Sequence, residues 1–346
     1  MNLSDRVKSF EWLGERLRGY HESSNDPGDS ILSGAAAAAF AENPWFTPGH
    51  TRIALNSLGE SLQPGNLARW IIPYEARINR QTTRKRVGVV MAGNIPAVGF
   101  HDFLCVLLAG HQFTGRLSSS DARLIPAMAS MLRAEFPGWQ DTIAFTDGKL
   151  ENFDVIIATG SDNTSRYFNY YFGRYPSIIR GNRNSAAILD GHEDEAALEH
   201  LADDIMLFFG MGCRSISKVF VPEGYDFTML IRALQKYAGF INHHKYCNNY
   251  EYNKSIFLVS QTPFIDAGCL LLKEDRALAS RIAVLNYEYC HSVGEAENAI
   301  QQDRESIQCV VSGAALTIAV VKPGEAQYPA LWDYADDVDT LDFLLS

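Results

Sequence analysis

The sequence predicts an α/β protein built on a largely parallel sheet, and three observations carry that prediction. From Arg86 onward, short apolar runs alternate with amphipathic segments of helical period. Most of the runs are separated by segments of helical length, which implies βαβ units. Several runs end in glycine-bearing loops, the places where such sheets bind ligands.

In chain order, residues 1–80 read mainly as helix, punctuated by the turn-rich SSNDPGDS and by the ENPWFTPGH loop. VGVVMA (Val87–Ala92) is a buried strand, followed by a helix from about Ala97 to Ala109. FTGRL (Phe113–Leu117) is a second strand and LIPAMASMLRAEF a second helix. TIAF and DVIIAT (Asp154–Thr159) are further strands, and SDNTSRYFNYYF a third helix. AAIL (Ala186–Leu189) leads to the helix EDEAALEHLADDIMLFF, with Leu198, Leu201, Ile205 and Phe208 on one face. SKVFVP (Ser217–Pro222) leads to DFTMLIRALQKYAGF, where Phe227, Leu230, Ile231 and Leu234 align. The expected organisation is a helical region at 1–80, a first α/β domain at 81–205, a second at 206–325 and a C-terminal tail at 326–346.

Composition excludes several function classes. The 346 residues are 47% hydrophobic and 21% charged, enough for two modest globular domains. A net charge of −11 argues against a general nucleic-acid surface and against docking on acidic lipid. The N-terminal MNLSDRVKSFEWLGERL lacks the apolar core of a signal peptide, and runs such as GAAAAAFA and FLCVLLAG are too short to span a bilayer. A cytoplasmic protein without membrane insertion is expected. The six cysteines (Cys105, Cys213, Cys247, Cys269, Cys290 and Cys309) are spread singly, so free thiols are expected.

Three loops hold residues suited to chemistry. The first strand ends in Gly93-Asn94-Ile95-Pro96, where Pro96 suits a helix start and Asn94 offers a side-chain amide; on the residues alone a capping Asn in an ordinary turn is the favoured reading. DVIIAT runs into Gly160-Ser161 at a helix start, a cluster of N–H groups that suits a pyrophosphate, although Ser is also a common cap. There is no G-x-G-x-x-G. Gly210-Met211-Gly212-Cys213-Arg214 lies between a helix and SKVFVP, and two glycines before the Cys leave its sulfur uncovered. Arg214 or oriented amides would favour a thiolate there, although a buried Cys in a tight turn fits as well.

Other candidates carry less. His243-His244 with Cys247 lacks a second ligand pair at zinc spacing, so no metal site is expected. YFNYYFGRY (Tyr167–Tyr175) suits core or interface packing better than nucleic-acid stacking at this net charge.

Taken in order, these segments resemble the aldehyde dehydrogenase superfamily. Gly93-Asn94-Ile95-Pro96 resembles its Asn-Phe-Pro element, whose Asn holds the oxyanion; Thr159-Gly160-Ser161 resembles the Thr-Gly-Ser on which the cofactor pyrophosphate rests; Gly212-Cys213 before SKVFVPEGYD resembles the catalytic-cysteine segment. GEAENAI to CVVSG resembles the later catalytic domain weakly. More narrowly, RVGVVMAGNIPAVGFHDFLCVLLAGHQFTGRLSSSD and the closing TLDFL resemble the acyl-CoA reductases of the LuxC type.

The resemblance implies an aldehyde dehydrogenase-like fold, with 81–205 binding the cofactor and 206–325 carrying catalysis. It implies Cys213 as nucleophile and Asn94 as oxyanion donor, with Gly93, Ile95, Pro96, Arg116, Ser118, Ser119, Thr159, Gly160 and Ser161 around the cofactor. Arg116-Leu117-Ser118-Ser119 stands where the superfamily has Lys-Pro-Ser-Glu; losing a Glu that repels a 2′-phosphate, with Arg116 beside it, favours NADPH, while Asp121 counts against it. The Glu-x-Phe that holds the nicotinamide ribose has no clear equivalent. Arg180-Gly181-Asn182, 33 residues before Cys213, replaces the Glu-Leu-Gly-Gly whose Glu activates water. These features imply NADPH-dependent reduction of a fatty acyl-CoA or acyl-carrier thioester to the aldehyde, in a homo-oligomer or reductase complex. The alternatives are an acyl-phosphate reductase and a non-catalytic nucleotide-binding subunit.

Overall fold

The computed structural model describes residues 1–21, 27–160 and 162–346. The chain forms two compact units, Met1–Asn182 with Ala330–Ser346, and Arg183–Pro329. Residues 23–26 of the SSNDPGDS turn lie outside the described residues, and Pro27–Ser30 already belong to a helix.

The first unit opens with α1 (Leu3–Arg18), α2 (Pro27–Glu42), α3 (Pro48–Ser61), α4 (Pro64–Ile71) and α5 (Glu75–Arg80). Asn2 caps α1 by accepting the Asp5 N–H at 2.8 Å, and Leu3, Phe10, Leu13 and Leu17 form its buried stripe. Then follow β1 (Arg86–Val90), α6 (Phe100–Ala109), β2 (Gln112–Arg116), α7 (Leu124–Glu135), β3 (Ile143–Thr146), β4 (Val155–Thr159), α8 (Asp162–Phe172) and β5 (Ser177–Arg180). The strands form a parallel sheet in the order β3-β2-β1-β4-β5. Helix α6 is apolar nearly all round because it touches β1 and β2 on one side and α1 on another.

The helix expected from Ala97 begins at Phe100. Ala97 adopts a left-handed φ of 57°, which no α-helix accommodates, so residues 95–99 form a turn. β5 was not read from the sequence; its four residues pair with β4 at the sheet edge.

The second unit contains β6 (Asn184–Ile188), α9 (Glu195–Met206), β7 (Ile216–Pro222), α10 (Thr228–Leu234), α11 (His244–Val259), β8 (Ile265–Asp266), β9 (Leu271–Glu274), β10 (Val284–Cys290), α12 (Val293–Gln302) and β11 (Ile307–Val311). Its sheet runs β11-β6-β7-β10-β9-β8, parallel except for the β8–β9 pair. β6 and α9 therefore belong to this unit, where the expected boundary near 205 would have put them in the first. The physical reason is pairing: β6 hydrogen-bonds to β7 and β11.

Helix α9 was expected to continue through Phe209 and stops at Met206. Phe208, Phe209 and Gly210 all take left-handed φ values, 54°, 58° and 71°. The last segment returns to the first unit, where α13 (Thr340–Leu345) packs on α6. Among the described residues, no helix is long and apolar enough to cross a membrane.

Candidate active site

In the first unit, the motifs read from the sequence gather at one edge of the sheet. Val90 of β1 pairs with Arg116 of β2 and with Ala158 of β4, so the loops after these three strands leave the carboxyl edge side by side. The sheet order reverses between β1 and β4, and such a switch point is where doubly wound sheets bind ligands. Asn94, Arg116 and Ser119 are exposed there, while Gly93, Ile95, Ser118, Thr159 and Gly160 are half-buried and Pro96 is buried. Ser161 lies outside the described residues.

Two of these residues do work of their own. A Cβ on Gly93 would stand 2.4 Å from Ser118 Oγ, so the turn after β1 lies against the loop after β2 with no room for a side chain. The Gly160 N–H donates to the Arg180 carbonyl at 3.2 Å, extending the β4–β5 ladder, so this amide is already used within the sheet. A Cβ at Gly160 would meet Thr164 and Phe168 of α8 at 3.0 Å, which keeps the start of α8 close to the end of β4.

Asp121 does not project toward Arg116. It is buried, and its carboxylate accepts the Ala97 N–H at 2.7 Å. Burial raises this carboxyl to about 6, against the pull of backbone amides of Ala97, Leu124 and Arg123.

Arg180 is buried at the end of β5. Its Nη1 pairs with Asp102 of α6 at 2.7 Å, and its Nη2 donates to Thr340 Oγ1 of α13 at 2.9 Å. Burial alone would lower the guanidinium; Asp102 reverses this and leaves it above its ordinary value. Arg180 is an internal cation that ties together β5, α6 and α13.

In the second unit, Cys213 lies in the loop immediately before β7, at the amino end of the sheet. The candidate loops of the first unit thus leave the carboxyl edge of their sheet, whereas the Cys213 loop precedes its strand. Cys213 is half-buried, as is Cys247, whereas Cys105, Cys269, Cys290 and Cys309 are buried. Burial pushes the Cys269 and Cys290 thiols up to about 11 and that of Cys105 well above its ordinary value.

The Cys213 loop is held from several directions. Ser185 Oγ of β6 donates to the Cys213 carbonyl at 2.9 Å and accepts the Cys309 N–H at 3.1 Å. Ser215 N–H donates to the Gly212 carbonyl at 3.0 Å, and Gly212 N–H to Ser215 Oγ at 3.2 Å. Arg214 Nε donates to the Ala326 carbonyl. Asp204, fully buried on α9, accepts the Gly324 and Ala326 N–H groups at 2.6 and 3.0 Å, and Gln327 spans Asp204 and Ser215. Upstream, Phe209 stands with Phe240 and His243, ring centroids 4.5 and 4.7 Å apart. Consecutive left-handed non-glycine residues persist only when their surroundings compel them, and this aromatic cluster does so immediately before the cysteine loop.

Sequence reasoning missed Ser185, Asp204, Gln327 and the true role of Asp121. Asp204 left a signal: a carboxylate beside Leu201 and Ile205 on the apolar stripe of its helix. His243 caps α11 by accepting the Tyr246 N–H at 3.3 Å, and its ring stacks on His244. Among the described residues, no group of three or more His, Cys, Asp and Glu side chains is placed to hold a metal ion.

The fold is that of the aldehyde dehydrogenases. A putative aldehyde dehydrogenase from Burkholderia cenocepacia superposes with a TM-score of 0.62 at 14% identity, over 92% of this chain and 76% of that one. The NAD+ complex of an aldehyde dehydrogenase from Bacillus cereus gives 0.62 at 14%, over 92% and 73%. Lactaldehyde dehydrogenase from Escherichia coli gives 0.62 at 11%, over 92% and 75%.

The family is narrower than the fold. The model of the acyl-CoA reductase (LuxC) family matches residues 55–241, more than half of the chain, and the protein belongs to that family. A long-chain acyl-protein thioester reductase from Aliivibrio fischeri is 24% identical over 206 residues, 54% of this chain. The match covers only 42% of that relative's length.

Proposed function

We propose that the protein reduces an acyl thioester, a fatty acyl-CoA or acyl-carrier thioester, to the aldehyde with NADPH through a thioacyl intermediate on Cys213. The observation that carries the reading is the convergence of the Asn94, Arg116–Ser119 and Thr159–Gly160 loops at the switch point of one parallel sheet. With it goes a half-buried cysteine in a firmly held loop of the second unit.

The residues at the sheet edge fit a dinucleotide. The start of α8 after Thr159-Gly160 offers backbone N–H groups to a pyrophosphate, with Gly160 acting as a residue without a side chain rather than as a donor. Arg116 and Ser119, both exposed, suit a ribose 2′-phosphate, and Asp121 is turned inward and leaves that phosphate unopposed. Reduced nicotinamide supplies a hydride when bound. Gly93, Ile95, Pro96 and Ser118 complete the assigned cofactor residues.

In the proposed reaction, the Cys213 thiolate attacks the thioester carbonyl carbon and the donor thiol departs with the electrons of the broken C–S bond. The Asn94 amide and the Cys213 backbone N–H are assigned to the oxyanion. Such donors are typically worth about 10²–10³ in rate. After hydride transfer, the thiohemiacetal releases aldehyde and regenerates the thiolate. Arg180, already bonded to Asp102 and Thr340, offers no proton acceptor for water, which favours aldehyde over acid.

The test is to supply acyl-CoA, acyl-carrier thioester and acyl-phosphate separately with NADPH and to measure aldehyde. Aldehyde from a thioester supports the reading. Aldehyde from acyl-phosphate alone replaces it with the acyl-phosphate reductase reading, and NADPH binding without turnover of any donor replaces it with that of a non-catalytic subunit.

A further inference from the structure

Two loops that the proposed function treats separately are one mechanical body. The turn after β1 carries Asn94, and the end of β2 with the loop after it carries Arg116, Ser118 and Ser119. At Gly93 an added Cβ would lie 2.4 Å from Ser118 Oγ and 3.1 Å from the Asp121 nitrogen, so the loops are in near-backbone contact. Within the second loop, Asp121 N–H donates to the Ser118 carbonyl at 3.1 Å and Ser120 N–H to Ser118 Oγ at 3.2 Å. The Asp121 carboxylate then reaches across to the Ala97 N–H at 2.7 Å.

That bond lies at the strained point of the turn. Ala97 is buried and holds a φ of 57°, which a residue with a Cβ adopts only when its surroundings compel it. Its N–H donates to the Asp121 carboxylate. Asp121 also sits ahead of α7, whose first amides, at Arg123 and Leu124, favour its charged form. One buried carboxylate therefore connects the turn after β1 with the loop after β2.

We propose that Asp121 is a positioning residue of the reductase, locking the Asn94 turn to the Arg116–Ser119 loop so that nucleotide and oxyanion donor are set together. The proposal rests on the reductase reading above. Asp121 touches neither reacting atoms nor cofactor in this account; it acts through Ala97 and Ser118.

The experiment compares the full chain with Asp121→Ala and Asp121→Asn at a temperature well below the melting point of each. NADPH affinity is read by fluorescence titration, and acylation by the burst of free thiol from acyl-CoA. Asp121→Ala should weaken NADPH binding about tenfold and slow the burst by on the order of 10²-fold, with cooperative melting retained. Asp121→Asn keeps an oxygen acceptor for the Ala97 N–H and should restore both to within about threefold of the unmodified chain. A merely structural carboxylate would lower the melting temperature and leave both readouts in place. Unchanged affinity and burst in Asp121→Ala overturns the proposal, and so does an Asp121→Asn variant as impaired as Asp121→Ala. If the unmodified chain binds NADPH but releases no thiol, the reductase reading fails and the affinities alone decide the role of Asp121. An unmodified chain that binds no NADPH overturns both.

Discussion

The hydroxyl of Ser185 donates to the carbonyl of Cys213 at 2.9 Å, so the residue assigned as nucleophile is tied through its backbone to the neighbouring strand. The same oxygen accepts the buried Cys309 N–H at 3.1 Å. Ser185→Ala leaves both groups without this partner. A cost of about 1–3 kcal/mol in stability is expected from chemical unfolding. The thiol burst from acyl-CoA should slow about tenfold or more, since misplacing a reacting group by a fraction of an ångström is costly. A burst at the unmodified rate would show that the Cys213 loop holds its shape without Ser185.

In the proposed reading, cofactor choice rests on Arg116 at the end of β2 and Ser119 in the loop after it, both exposed. NADPH should therefore be used in preference to NADH. Arg116→Glu should erode that preference by about tenfold or more, as a cation is exchanged for a charge that repels phosphate. The check is kcat/KM for both cofactors in both proteins. Equal values in the unmodified chain would remove the basis for the assignment.

Arg180 gives a prediction that family resemblance alone would not. By the resemblance to the aldehyde dehydrogenases, a glutamate at this position stands where a water-activating base is expected. The structure places Arg180 in a buried ion pair with Asp102, so Arg180→Glu sets two carboxylates against each other. The variant should lose roughly 3–5 kcal/mol of stability and gain no acid production from acyl-CoA. Melting curves and a free-acid assay test the two halves separately.

Asp204 predicts a pH dependence. Burial raises its carboxyl to about 6 despite the amides of Gly324 and Ala326. A raised acid binds its proton more tightly in the folded chain, so its contribution to stability is fully present below about 4. It is lost as pH rises through about 6. The loss is on the order of 3 kcal/mol between those limits. Unfolding free energies of the unmodified chain and of Asp204→Asn, taken from pH 4 to about 7, should converge or cross as pH rises. A gap that widens with pH would contradict the raised carboxyl.

The sheet of the first unit was legible in the sequence because VGVVMA, FTGRL, TIAF and DVIIAT are short apolar runs separated by helical periods. β5 was missed because SIIR is short and follows directly on Tyr175-Pro176. The ends of two helices were misread for a shared reason: Ala97, Phe208 and Phe209 take left-handed backbone angles that their side chains do not advertise. The motif loops were legible as candidates, since Gly93, Gly160 and Gly212 mark close approaches and tight turns. What supports them was not, because Ser185, Asp204 and Gln327 act across long sequence separations: Ser185 reaches Cys213, and Gln327 reaches Asp204. Asp121 was read as counting against a 2′-phosphate nearby, and its burial and its contact with Ala97 show it to be internal.

The proposed reaction requires that Cys213 carry the acyl group. Its most direct test is intact-mass analysis of the cofactor-free protein after mixing with acyl-CoA, with fragment mapping of the adduct. One acyl increment is expected, located on Cys213, accompanied by a stoichiometric burst of free thiol and absent from a folded Cys213→Ser variant. An adduct on Cys247 or any other residue, or one that persists in Cys213→Ser, would contradict it.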